Sequence, residues 1–177
     1  MAIPTNTGVR MPYGLRNFAM HVTNVGYAGV VTKGKLPDVA SKTEDHRASG
    51  MDFNRKLDHG LEDLESTFSL AEFNDAIMKQ VSTLNASETE LKFYGALNDD
   101  ASPKAIKVEA TLKGAIHKGE PGDWESGGKT ETSFTVNCKF YELKIDAEEI
   151  YHIDNDNLIR RIDGVDQLES IRAAIKL

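Results

Sequence analysis

Apolar and polar positions alternate most regularly over residues 105–117. Ile106, Val108, Ala110, Leu112, Gly114 and Ile116 fall on one parity, and Lys107, Glu109, Thr111, Lys113, Ala115 and His117 on the other. A period of two with one dry and one wet face predicts a half-buried β-strand. A second long strand is predicted over 130–146, starting with Phe134, Val136, Cys138 and Phe140 inward and then switching to Tyr141, Leu143 and Ile145. A one-residue β-bulge near Phe140–Tyr141 accounts for the switch. Coverage of both faces there, by the core and by a neighbouring subunit, is the alternative. The turn-rich stretch 119–128, GEPGDWESGG, separates the two strands.

Elsewhere the pattern is shorter. Residues 18–23 and 27–36 read as a strand pair turned at Asn24-Val-Gly26, and Leu64, Ser66, Phe68 and Leu70 share one strand face. A helix over 70–83 follows from the S-x-x-E capping box of Ser69 and Glu72 and a staple between Phe68 and Phe73, with Phe73, Ile77, Val81 and Leu84 on one face. Residues 148–153 and 157–162 read as two short strands around Asp154-Asn-Asp156. A C-terminal helix over 164–176 is expected to be capped by Asp163, with Asp166 in its first turn and Val165, Leu168, Ile171 and Ile175 as its apolar stripe. Residues 1–15 read as an N-terminal arm. The stretch 38–60 is polar, charged and weakly periodic, and reads as a long contact arm, because loops of that length inside a compact domain are usually functional. The fold class is therefore mainly β (α+β): one domain over 1–177, a β-barrel or sandwich with one internal helix, a C-terminal helix and a long extended arm.

Composition narrows the function classes. The chain has 177 residues, 40% of them hydrophobic, which suits one globular domain. A single cysteine, Cys138, excludes an internal disulfide and fits synthesis in a reducing cytoplasm. No apolar run approaches the length of a membrane span, and no secretory pattern opens the chain. The net charge of −7 argues against tight nucleic-acid binding, for which clustered Lys and Arg displace phosphate counterions.

Motifs for chemistry are missing. The five histidines, His21, His46, His59, His117 and His152, lack the spacing of a helical zinc site, and only His152 has an acid, Asp154, two positions away on a strand. Cys138 has inward parity and reads as a small core residue. Glu148 and Glu149 are adjacent on a strand and point to opposite faces, so they are no glycosidase pair. Gly127-Gly128-Lys129-Thr130 lacks the full phosphate-loop spacing, since Asp123 stands where the first glycine belongs. Trp124 reads as a loop anchor packed on the barrel end, or as a ligand-stacking aromatic. No catalytic, metal or cofactor site is expected.

Several segments in the C-terminal third follow one another in a recognisable order: Gly122-Asp-Trp-Glu-Ser-Gly-Gly-Lys129, Cys138-Lys-Phe-Tyr-Glu-Leu-Lys-Ile-Asp146, Glu149-Ile-Tyr-His-Ile-Asp154 and Ile162-Asp-Gly-Val-Asp-Gln-Leu168. In the front half come Lys35-Leu-Pro37, Lys42-Thr-Glu44, His46-Arg-Ala-Ser-Gly-Met51-Asp52 and Leu57-Asp-His-Gly-Leu-Glu62. Taken in order over roughly residues 17–177, they resemble the major tail tube protein of contractile-tailed bacteriophages, a group that includes the R-type pyocin tube. Ser49 departs from a usual Gly-Gly pair, and Lys176 from a usual glycine.

The resemblance implies homo-hexameric rings stacked into a hollow tube inside a contractile sheath, with an inner wall that is one β-barrel shared by six subunits. The implied partners are the sheath, the tape-measure protein, the baseplate and the tail terminator, with DNA in transit only and no membrane. The location is the virion, after assembly in the host bacterial cytoplasm. Residues 41–60 are expected to cross to the next ring through Glu44, Asp45, Arg47, Gly50, Met51, Asp52 and Arg55, and the lumen is expected to be net negative. One rival is the tube of an R-type bacteriocin or phage-like injection device that carries no genome. A second is a soluble β-sandwich binding module using Trp124, and the last a metal hydrolase using His152 and Asp154.

Overall fold

The computed structural model describes residues 12–83, 89–99 and 104–176. The two long alternating segments form its central hairpin, β8 (Ile106–Glu120) and β9 (Thr132–Ile145), paired antiparallel along most of their length. Ile106, Ala110, Leu112 and Ile116 face the core from β8, as do Phe134, Val136, Cys138 and Tyr141 from β9. Lys113 faces Phe140 while Gly114 faces Cys138, which leaves Lys139 as an extra residue in β9. The expected bulge is thus present, one residue before Phe140, and it carries the inward parity from Cys138 to Tyr141.

The bulge also organises the sheet. Before it, residues Thr132–Asn137 take β6 (Glu65–Leu70) as their outer neighbour, and β6 in turn takes β3 (Val31–Lys35). After it, the same edge of β9 is taken by β10 (Glu148–Asp154), followed by β11 (Ile159–Ile162) and β12 (Val165–Asp166). On the far side, β8 takes β7 (Thr89–Asn98), then β1 (Gly14–Val22) and the two-residue β2 (Val25–Gly26). The ten strands bend into a sandwich-like fold around one core that includes Met20, Phe68, Leu70, Leu91, Leu112, Phe134 and Tyr141. The expected barrel is corrected for the single chain. Its strand path is open, ending at β12 on one side and β2 on the other.

Local expectations fare differently. The face of Leu64, Ser66, Phe68 and Leu70 is buried as read. The front strand pair is corrected, because β1 turns at Thr23 and Asn24, both at positive φ, pairs only briefly with β2, and leaves β3 to join β6. Gly14 and Leu15, read as part of an N-terminal arm, already pair with Asn98 and Leu97. Residues 1–11 of that arm, and Leu84 of the expected helical stripe, lie outside the described residues.

Both helices are shorter than expected. The internal one, α1, is a single turn over Asp75–Met78, capped by Asn74. The capping box fails because ladder hydrogen bonds keep the chain extended through Leu70, and the Ser69 hydroxyl lies 2.8 Å from that of Ser133. Ile77 still plugs the core, but Phe68 stacks on Phe134 rather than stapling Phe73. The C-terminal helix, α2, covers Glu169–Ile175. Asp163 does not cap it: Asp163 and Gly164, at φ of 50° and 74°, form the tight turn between β11 and β12, a placement that the Asp-Gly pair favours.

Candidate assembly interface

The long polar stretch is not an unstructured loop. It folds into a separate two-stranded sheet of β4 (Ser41–His46) and β5 (Arg55–Leu61), whose strands are almost entirely exposed. Weak periodicity hid these strands, since neither face of the hairpin is buried and neither needs apolar side chains. All seven residues expected to make contacts lie on this hairpin. Glu44 and Asp45 are on β4, Arg55 is on β5 opposite His46, and Arg47, Gly50, Met51 and Asp52 lie in the connecting turn. Glu44 pairs with His59 at 3.4 Å, and the Asp58 carboxylate accepts from the Gly60 amide at 2.8 Å. Met51 closes the turn, its sulfur accepting from the Ala48 amide at 3.3 Å. The positive φ of 88° falls on Gly50, so Ser49 stands at no strained position.

The root of the hairpin meets β9 through the hydrogen bond from the Cys138 amide to the Leu64 carbonyl. Beside it lies a groove of about 410 Å³, lined by Leu61, Asp63, Lys139, Ile153, Leu158 and Arg160.

Trp124 corrects an expectation. It does not anchor its loop on the sheet but stands 85% exposed, in an edge-to-face contact with the half-exposed Phe73, ring centroids 5.6 Å apart. The apolar stripe of the C-terminal element is also uncovered. Val165, Ile171 and Ile175 are each more than half or about half exposed, and α2 buries no residue. Arg172 fastens α2 in place, donating to the Leu158 carbonyl at 2.8 Å and to Asp166 at 2.5 Å.

The wet face of the large sheet is a ladder of paired charges. Lys92 pairs with Glu90, Lys107 with Glu109 at 2.6 Å, Lys144 with Glu142 at 2.8 Å, and Arg161 holds Glu149 through two bonds of 3.1 Å. His152 lies between Glu142 (3.3 Å) and Glu149 (3.6 Å), and not against Asp154 as the i, i+2 spacing suggested. Asp154 instead accepts from Asn157 and closes the turn before β11. The Glu142–Glu149–His152 group could hold a metal ion by geometry alone. Both carboxylates are already neutralised by Lys144 and Arg161, which a metal would have to displace. Cys138 is buried, and burial pushes its thiol up to about 12, which suppresses the thiolate a nucleophile needs.

These features define a class. An open sheet with an exposed hairpin, an exposed apolar stripe and an unburied tryptophan, and with no catalytic constellation among the described residues, belongs to a structural subunit that associates with other chains. The family model for phage tail tube protein FII matches residues 12–175, and the chain belongs to that family. It is 29% identical over 170 residues to the tail tube protein of Escherichia phage P2, covering 94% of this chain and 99% of that one. It is 27% identical to the major tail tube protein of Serratia phage KSP20, covering 87% and 90%. Among solved structures, the extended sheath–tube complex of an extracellular contractile injection system (PVC) has the same fold, with a TM-score of 0.56 at 10% identity over 75% of this chain and 91% of that one. The protein is a structural tail tube component.

Proposed function

We propose that the chain forms hexameric rings that stack into the hollow inner tube of a contractile device, with the β4–β5 hairpin bridging successive rings. The observation that carries this reading is the open strand path. A sheet that ends at β2 and at β12 leaves backbone groups for neighbouring copies, and rotational closure of a ring satisfies them. The exposed apolar stripe of Val165, Ile171 and Ile175 lies beside β12, where such a neighbour would sit. The tube would be built in the bacterial cytoplasm with a tape-measure protein inside, sheath outside, and baseplate and terminator at its ends.

Two devices use such a conduit. One solved neighbour in fold belongs to an extracellular contractile injection system, which supports the tube of an R-type bacteriocin or phage-like injection device without a genome. The curated relatives are phage proteins, which keeps genome delivery as the second reading. Electron microscopy of the purified, concentrated chain tests the shared core of both. Sixfold rings or tubes are expected, and a persistent monomer refutes assembly. Capsid and terminase genes beside the coding sequence then mark the genome carrier, and their absence the injection device.

A further inference from the structure

Two exposed, chemically complementary features are attached to opposite ends of β6. At one end Glu65 pairs with Asn137, and the β4–β5 hairpin is rooted beside it, through the Glu62 amide on the Ala40 carbonyl and the Cys138 amide on the Leu64 carbonyl. At the other end Leu70 pairs with Thr132, and the loop 121–131 runs directly into Thr132. A strand of this length separates its ends by about 17 Å.

The hairpin tip carries Arg47, Arg55 and Lys56 against two carboxylates, Asp52 and the Asp45 opposite Lys56, and displays Phe53 at 78% exposure. The opposite end carries Glu120, Asp123, Glu125 and Glu131; Lys118 pairs with Glu120 and Lys33 with Glu131, which leaves Asp123 and Glu125 with Lys129 as the charges of the loop itself. There the Phe73–Trp124 pair lines a shallow groove of about 440 Å³ with Asp123, Glu125 and the single cation Lys129 on its wall. One end is thus basic with an aromatic knob, and the other acidic with an aromatic seat.

We infer that Trp124 and Phe73 form the seat for the hairpin tip of a second copy of this chain in the adjacent ring, with Phe53 against the aromatic pair and Arg47 and Arg55 directed to Asp123 and Glu125. The inference rests on the stacking reading above and names the surface that receives the arm. A donor at one end and an acceptor at the other give a heterologous contact, which propagates as an open stack and does not stop at a dimer. Arginine and aromatic side chains meeting in a desolvated centre are the usual carriers of binding strength, and opposite charges fix the register.

Trp124 is the sole tryptophan, so the unmodified protein reports on its own seat. Emission and acrylamide quenching are compared between dispersed subunits and sheath-free tubes. A blue shift and a severalfold fall in quenching are expected on polymerisation, and tubes whose tryptophan stays fully quenchable overturn the inference. To identify what covers it, Phe53→Cys and Ser126→Cys subunits are mixed, polymerised and oxidised, with Lys107→Cys on β8 as the control partner. The Phe53→Cys and Ser126→Cys pair is expected to form covalent dimers in tubes only. Burial of Trp124 without that cross-link assigns the seat to another part of the chain and removes the arm from it. Trp124→Ala is expected to raise the concentration needed for tube growth on the order of thirtyfold, the loss usual for a central aromatic anchor. Failure of the unmodified chain to form any ring or tube would instead remove the stacking reading itself, so the two failures are distinguishable.

Discussion

Gly114 lies against the backbone of Asn137 at the β8–β9 bulge, where an added Cβ would sit 2.0 Å from the Asn137 carbonyl oxygen. Backbone on both strands is held there by the ladder and cannot retreat as a flexible side chain could. Gly114→Ala is therefore expected to destabilise the subunit by about 3 kcal/mol or more, at the upper end of overpacking effects. Thermal or urea unfolding of dispersed subunits measures it. Gly14→Ala, with nothing within 4 Å of the added atom, is the control and should stay within about 0.5 kcal/mol. The existence of a parity slip was legible in the sequence because the period of a strand leaves no other local way to bury both Cys138 and Tyr141, but its place was not: Phe140, read as inward, lies on the other face against Lys113 and His152. The need for a glycine opposite the slip was not legible either, since the close approach arises between segments more than twenty positions apart.

Secondary structure was legible to the extent that burial writes a period into the chain. The long strands, each with one buried face, stood out, whereas β4 and β5 were missed because their hairpin has no buried face. The internal helix was overestimated because a capping box is a local signal, and the pairing of Ser69 in β6 outweighs it. At the C-terminus, Asp-Gly indicated a hairpin turn more strongly than it indicated a helix cap. Asp166, two residues before the N-cap position, holds α2 instead. The hydrogen bond from Arg172, helped by the Leu168 amide, keeps its carboxyl below the usual aspartate range. A carboxylate held below its unfolded value stabilises the fold at pH above about 3.9 and loses that contribution as pH falls through its lower folded value. Protection of the α2 amides of dispersed subunits, taken relative to intrinsic exchange at each pH, should thus hold at neutral pH and fall only in strong acid. Asp166→Asn should exchange several times faster already at neutral pH, with less further change on acidification. Replacing residues 41–60 by a short turn tests the other exposed element. Because the hairpin is a sheet of its own and Leu61, the strand residue that packs against the core, is kept, the shortened subunits should fold with nearly unchanged melting but fail to stack. Normal tubes after that deletion would remove the bridging role.

At the scale of the whole molecule, the arrangement of charge decides what can pass through a tube made from it. The chain carries a net charge of −7, yet on the wet face of the large sheet Lys92, Lys107 and Lys144 each sit beside a glutamate, and Arg161 is held by Glu149. Lysines paired on the same face offer little to a phosphate, since releasing them costs an existing ion pair. A wall built from this ladder presents cations tied in ion pairs, so an anionic chain finds little to arrest it. With the chain's net charge of −7 around the ladder, the lumen is expected to be net negative, and a cryo-EM map of assembled tubes with a basic inner wall would refute this. The ladder can also be altered in place. Glu109→Gln and Glu142→Gln would free Lys107 and Lys144 on every subunit, a change multiplied by each ring of the stack. Such tubes should bind short DNA at low salt and release it as salt rises, the signature of counterion displacement. Unmodified tubes should show no such retention, and equal retention by both would remove the ladder's role in keeping DNA off the tube.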